Sequence, residues 1–82
     1  MHYTYYPHNV CPSQIDFDLD AGTIHNIAFI GGCNGNLKAI SKLCEGMEAD
    51  KLVSILKGNL CGRKSTSCAD QLAMAVQQAM QG

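Results

Sequence analysis

Gln14-Ile15-Asp16-Phe17-Asp18-Leu19-Asp20-Ala21-Gly22 decides how the rest of the chain must fold. Apolar and acidic residues alternate strictly from Ile15 to Asp20. In a strand, successive side chains point to opposite faces, so Ile15, Phe17 and Leu19 share one face and Asp16, Asp18 and Asp20 turn to water. A strand with one wet face and one apolar face needs a cover on the apolar side. Ala21-Gly22 supplies a tight reversal, because glycine tolerates positive φ, and Thr23 to Ile30 reads as the return strand. Ile27 and Phe29 are its expected core-facing pair. Ile24 breaks the alternation, which puts it at a bulge or on a partly covered second face.

Upstream, His2-Tyr3-Thr4-Tyr5-Tyr6 is an aromatic stretch of strand character. Pro7 ends it, since proline cannot donate to a sheet ladder, and His8 to Pro12 is a loop that carries Cys11. Downstream, Gly31-Gly32-Cys33-Asn34-Gly35-Asn36 forms a glycine-rich loop. It has the character of a phosphate cradle before a helix, but it lacks the Lys-Ser/Thr of a P-loop and does not match G-x-G-x-x-G. Asn36 is a suitable N-cap. Leu37, Ile40, Leu43, Cys44 and Met47 then fall at helical spacing, and Gly46 ends or kinks that helix. Ala49 to Lys57 is a second, shorter helix with Leu52, Val53, Ile55 and Leu56, closed by Gly58 at C′. Ser67 and Asp70 form a Ser-x-x-Asp start signal. Ala69 to about Met80 is the last helix, with Ala69, Leu72, Ala73, Val76, Ala79 and Met80 on one side.

Strands first and helices after give an α+β fold of order β-β-β-α-α-α. The expected architecture is a small antiparallel three-stranded sheet with the helices packed on one face. There is no internal repeat, linker or low-complexity segment, so residues 1–82 read as a single domain.

Composition narrows the function. A chain of 82 residues buries a thin core and often relies on a metal, a disulfide or a partner. The net charge of −1 comes without a basic patch or arm, which argues against nucleic acid. No polybasic run or basic amphipathic helix suits a membrane surface, and no apolar run is long enough to span a bilayer. The N-terminal residues lack the basic start and continuous apolar stretch of a signal peptide, so the expected compartment is the cytoplasm.

Five cysteines are many for such a chain. In a reducing compartment, and at an odd number, they fit metal binding or thiol chemistry better than a disulfide framework. Cys44 lies on an apolar helical stripe and reads as a buried small hydrophobe. Cys11, Cys33, Cys61 and Cys68 each lie in a loop or at a helix start. Cys68 falls in the first turn of the last helix, where free N–H groups and the dipole favour a thiolate. If the loops around the hairpin and the start of the last helix gather at one end of the sheet, four thiolates would make a tetrahedral zinc or iron site, or hold an iron–sulfur cluster. The spacing contains no C-x₂-C pair, and the bland alternative is a set of unligated thiols with packing roles. His8 is an auxiliary ligand candidate; for His2, His8 and His25 alike the simpler reading is an exposed histidine without a role. Asp16, Asp18 and Asp20 read as a solvated face rather than a cation site.

Taken together, Val10-Cys11, Gly31-Gly32-Cys33-Asn34-Gly35-Asn36-Leu37, Glu45-Gly46-Met47, Lys57-Gly58, Cys61-Gly62 and Thr66-Ser67-Cys68-Ala69-Asp70-Gln71-Leu72-Ala73 resemble the TSCPD domain family over nearly the full chain. Ala69 departs from the proline of the namesake motif; proline there is a stiffener, so no ligand is lost. The resemblance implies a small domain that occurs alone and as an appendage of cobalamin-dependent ribonucleotide reductases, with its cysteines as the suspected metal ligands. A fainter similarity is to NifU-type iron–sulfur scaffold proteins. There Cys11, Cys33 and Cys68 fall at the three cluster cysteines, while Ser13 and Ser67 replace the scaffold's aspartate and histidine. Cys61 would then supply a fourth ligand.

The leading expectation is a metal-binding accessory domain with Cys11, Cys33, Cys61 and Cys68 as ligands of zinc or an iron–sulfur cluster. Its partner would be a larger ribonucleotide reductase or an iron–sulfur client protein. A second expectation is a Cys61/Cys68 dithiol that passes electrons in ribonucleoside-diphosphate reduction. The chain is too short to hold such an active site alone, so it is not read as an enzyme by itself. A third is an interaction module without metal, whose last helix docks on another chain or on a second copy.

Overall fold

The expected element order is the observed one. The computed structural model describes residues 1–7, 12–31, 34–59 and 66–81, with the backbone alone for 34–36. Three strands, β1 (His2–Tyr5), β2 (Gln14–Asp20) and β3 (Thr23–Ile30), precede three helices, α1 (Asn34–Cys44), α2 (Ala49–Leu56) and α3 (Cys68–Gln81). The sheet is antiparallel in the order β1-β2-β3.

Alternation in β2 does what its sequence requires. Ile15 and Phe17 are fully buried, and Tyr3 of β1 lies opposite Phe17 with the rings stacked at 5.6 Å. Such cross-strand aromatic pairs are the unit of sheet stabilisation. β3 cannot follow a simple alternation. Asp16 pairs with Ala28 and Asp18 with His25, so Asn26 and Ile27 together face the single residue Phe17. The extra residue is Asn26, held at φ +56. This bulge reverses the parity of the strand, which is why Ile24 and Ile27, three apart, are both buried in the core. Phe29 is half-buried against the same core.

The helices are tied to the hairpin end of the sheet in turn. α1 leaves β3 and runs back along it; Ile27, Ala28, Phe29, Leu37, Ser41 and Lys42 line one groove between the two. It stops at Gly46 (φ +77), whose N–H donates to Ile24 O at 2.7 Å, while Ile24 N–H donates to Met47 O at 2.9 Å. α1 starts two residues before the expected cap, so Asn36 lies inside the helix. Its apolar stripe is Leu37, Ile40 and Cys44; Leu43, expected on that stripe, is 78% exposed. Ala49 N–H donates to Gly22 O at 2.8 Å, which fixes the start of α2 at the hairpin. α2 then runs away from it, burying Ala49 and Leu52 and leaving Ile55 exposed.

α3 returns antiparallel to α2. Met80, near its end, shares a groove with Leu19, Ala21, Gly22 and Ala49 at the hairpin. Leu72, Ala73, Val76 and Ala79 bury into the sheet core, whereas Met80 is exposed. A 14-residue helix is about 20 Å long, close to the length of a seven-residue strand. The start of α3 therefore lies away from the hairpin. The sheet's other end is where β2 begins and β3 finishes. There Pro12 is fully buried, and Ser13 N–H donates to Ile30 O at 2.8 Å. No helix among the described residues is long and apolar enough to cross a membrane.

Candidate functional site

Ser67 begins the site at the start of α3. It is the expected N-cap: its Oγ accepts the Asp70 N–H at 3.1 Å, and its carbonyl accepts the Gln71 N–H at 2.8 Å. The Ser67 hydroxyl donates to Asn59 O, just past the end of α2. Cys68 follows in the first turn of α3 and is partly exposed.

Asp70, two residues on, is buried at 7% exposure and does more than complete a cap. Its Oδ1 accepts the Gly58 N–H at 2.7 Å, and its Oδ2 accepts the Thr66 hydroxyl at 2.5 Å. Thr66 Oγ1 in turn accepts Gln71 Nε2 at 2.9 Å. Thr66, Ser67, Asp70 and Gln71 thus close a buried ring of hydrogen bonds. It joins the exit of α2 (Gly58, Asn59) to the start of α3. Among the described residues no buried side-chain nitrogen or oxygen lacks a partner. A buried polar network is tolerated only when satisfied in this way. Gly58, at φ +83, turns the chain out of α2 so that its N–H can reach Asp70.

Sequence reasoning found Ser67 and the Ser-x-x-Asp pattern. It missed the burial of Asp70, and the roles of Thr66, Gln71 and Gly58. The available signal was Thr66 four residues before Asp70, one helical turn apart, beside a cap serine.

The structure reports on one of the four candidate ligands. Cys68 stands in the helix start as expected; Cys11, Cys33 and Cys61 lie outside the described residues. Their described sequence neighbours have definite places. Pro12 and Ser13, after Cys11, run beside Ile30 and Gly31; a Cβ on Gly31 would lie 3.8 Å from Ser13 N and 3.9 Å from Pro12 Cα. Asn59, two residues before Cys61, is bonded to Ser67, the neighbour of Cys68. Among the described residues no three of His, Cys, Asp and Glu gather as metal ligands would. Cys44 is the buried small residue expected, and burial pushes its thiol pKa up.

The aspartate face of the sheet is engaged in local bonds. Asp16 accepts from Gln14 Nε2, and Asp20 pairs with the N-terminal amine at 2.8 Å. Asp18 accepts from Asn26 Nδ2 and lies 2.8 Å from His2 Nδ1; both hydrogen bonds, Asn26 first, lower its pKa. Glu45 accepts the Asn26 N–H at 2.8 Å and lies 2.7 Å from His25 Nδ1, and these bonds, the Asn26 one foremost, lower its pKa too. His2 and His25 therefore hold surface carboxylates around the bulge; His8 lies outside the described residues.

A three-stranded sheet, a following helical layer and a cysteine set in a clasped helix start define a small α+β domain built around its Thr-Ser-Cys-x-Asp segment. The chain belongs to the TSCPD domain family, whose model matches residues 2–80. Comparisons with curated proteins and with solved structures found no match.

Proposed function

We propose that this chain is a metal-binding accessory domain in which Cys11, Cys33, Cys61 and Cys68 supply thiolates to zinc or to an iron–sulfur cluster. The observation that supports the reading is that the described sequence neighbours of the four cysteines fall in two pairs. Pro12 and Gly31 lie side by side where β2 begins and β3 ends. Asn59 and Ser67 are bonded to each other, and α3 starts away from the hairpin. The donor chemistry fits a soft or borderline metal, since four thiolates match zinc, iron and clusters and disfavour magnesium or calcium. The α3 start favours the thiolate form at Cys68 through its free N–H groups and dipole.

In this reading the protein's own work is to hold thiolates at one end of a rigid sheet-and-helix frame. Zinc bound there would add folding free energy; a cluster would supply one-electron chemistry. The likeness to NifU-type scaffolds favours the cluster. A larger ribonucleotide reductase or an iron–sulfur client protein is the proposed partner. The test is expression with zinc and with iron, followed by bound-metal analysis and the visible spectrum, for wild type and for Cys68→Ser. Stoichiometric metal in the wild type, reduced in the variant, is expected. A metal-free, colourless wild type that folds equally well refutes the reading.

A further inference from the structure

We infer that Glu45, His25, Thr23 and the Asp20 carbonyl form a hydrogen-bonded relay in which one proton on His25 decides where the Thr23 hydroxyl points, making the β2–β3 turn pH-sensitive. The proposal stands apart from the metal reading above, since none of its groups is a candidate ligand. Thr23 Oγ1 lies 2.9 Å from His25 Nε2, and His25 Nδ1 lies 2.7 Å from Glu45 Oε2. Thr23 also donates its hydroxyl to Asp20 O at 2.9 Å, across the Ala21-Gly22 turn. Glu45 is fixed through its other oxygen, where Oε1 accepts the Asn26 N–H at 2.8 Å.

An ionised carboxylate only accepts, so the proton between Glu45 and His25 sits on Nδ1. A hydroxyl has one proton to give. While that proton goes to Asp20 O, Thr23 Oγ1 meets Nε2 as an acceptor, and Nε2 must carry a proton of its own. Every bond of the line is therefore made only when the ring is doubly protonated. When Nε2 loses its proton to water, the ring keeps Nδ1–H, the tautomer set by the carboxylate. The bare Nε2 is then an acceptor, and the Thr23 hydroxyl bonds it by rotating away from Asp20 O. The turn thus holds one bond more in the charged form. The Gly22 carbonyl of the same turn fixes the start of α2 through Ala49 N–H at 2.8 Å, so the change reaches the joint between sheet and helices.

Other charged groups surround the relay without entering it. On β2 the cross-strand partner of His25 is Asp18, whose carboxylate is engaged by Asn26 Nδ2 and His2 Nδ1. Asp20, opposite Thr23, pairs with the N-terminal amine. Glu48 bridges to Thr23 from the connection between α1 and α2, and Lys51 of α2 shares a groove with Glu45 and Glu48. Both ring nitrogens of His25 are taken by Glu45 and Thr23, so these groups act on it only through space.

The test uses the whole chain, isotope-labelled for NMR, from about pH 5 to 8. Long-range proton–nitrogen spectra of the imidazole rings give the protonation and tautomer of His25, assigned from the signal lost in His25→Gln. Neutral His25 should carry its proton on Nδ1, the reverse of the free amino acid. The Ala21 amide nitrogen, joined to the Asp20 carbonyl, should shift in step with it. His2 and the N-terminal amine titrate over the same range, so variants of Thr23 supply the discrimination. Thr23→Val keeps the shape of the side chain and removes the hydroxyl. There the Ala21 response should vanish, and the His25 midpoint should move to lower pH by about 0.5 unit, the loss of one modest hydrogen bond. Thr23→Ser should behave as wild type. Neutral His25 protonated on Nε2 overturns the proposal, and that measurement needs no variant to fold. An Ala21 response that survives in Thr23→Val or is missing from wild type overturns it too, as does an unchanged His25 midpoint in Thr23→Val.

Discussion

Replacing Ala21 by asparagine should make the protein more stable. Ala21 and Gly22 form the two-residue turn between β2 and β3, with φ +50 and +81. Two positive φ values are the type I′ geometry, whose twist matches the strands it joins and which favours Asn-Gly. For a residue with a Cβ this region costs about 1–2 kcal/mol. Asparagine enters it more readily because its side chain bonds locally, and it avoids the extra unfolded-state freedom that glycine would bring. Ala21 is exposed, so no packing is lost. The net gain should be about 0.5–1 kcal/mol, a rise of about 2–8 °C in Tm for a domain of this size. Urea unfolding followed by circular dichroism or tyrosine fluorescence provides the assay, as the chain contains no tryptophan. The midpoint should rise at constant slope. Ala21→Val is the control, since a β-branched residue is far less tolerant of positive φ, and its midpoint should fall. An asparagine variant no more stable than wild type, or a valine variant equal to it, would refute the assignment of a positive φ to position 21.

Acid should loosen the bulge. Glu45 and Asp18 have lowered pKa values in the folded chain, so their contribution is complete above the ordinary carboxylate range and is lost as pH falls through the folded values, below about pH 4. Urea midpoints measured from pH 7 to 3 should fall less for Glu45→Gln than for wild type, and parallel curves would count against the linkage. Cys44 should resist alkylation in the native protein, because burial both shields the thiol and raises its pKa. Peptide mapping after iodoacetamide should find it modified only when urea is present; rapid native labelling would contradict its place in the core.

Local pattern and tertiary contact were unequally legible. The alternation of β2 and the turn at Ala21-Gly22 follow from neighbouring residues, and both are as read. The broken alternation at Ile24 signalled a bulge, but its position at Asn26 and Ile27 depends on the partner strand. Leu43, Ile55 and Met80 fit helical stripes yet face solvent, because a small sheet offers each helix a narrow contact that Leu37, Leu52 and Leu72 already fill. Asp70 could be read as a helix-start residue, since capping is local. Its burial could not, because the partner that explains it, Gly58, lies in another helix exit twelve residues away. Of the candidate ligands, the placement of Cys68 was legible from its cap.

The seal between residues 45–48 and β3 also governs how this sheet can meet other chains. Both backbone groups of Ile24 are taken by Gly46 and Met47, and the Asn26 N–H is taken by the Glu45 carboxylate. A foreign strand arriving on that flank finds alternate rungs already occupied, with too little open ladder left for cooperative pairing. The opposite border, β1, is four residues long, and brevity is a known deterrent to edge-to-edge growth. The domain thus guards its two flanks by different means, and leaves the two ends of the sheet as the places where another chain can approach it.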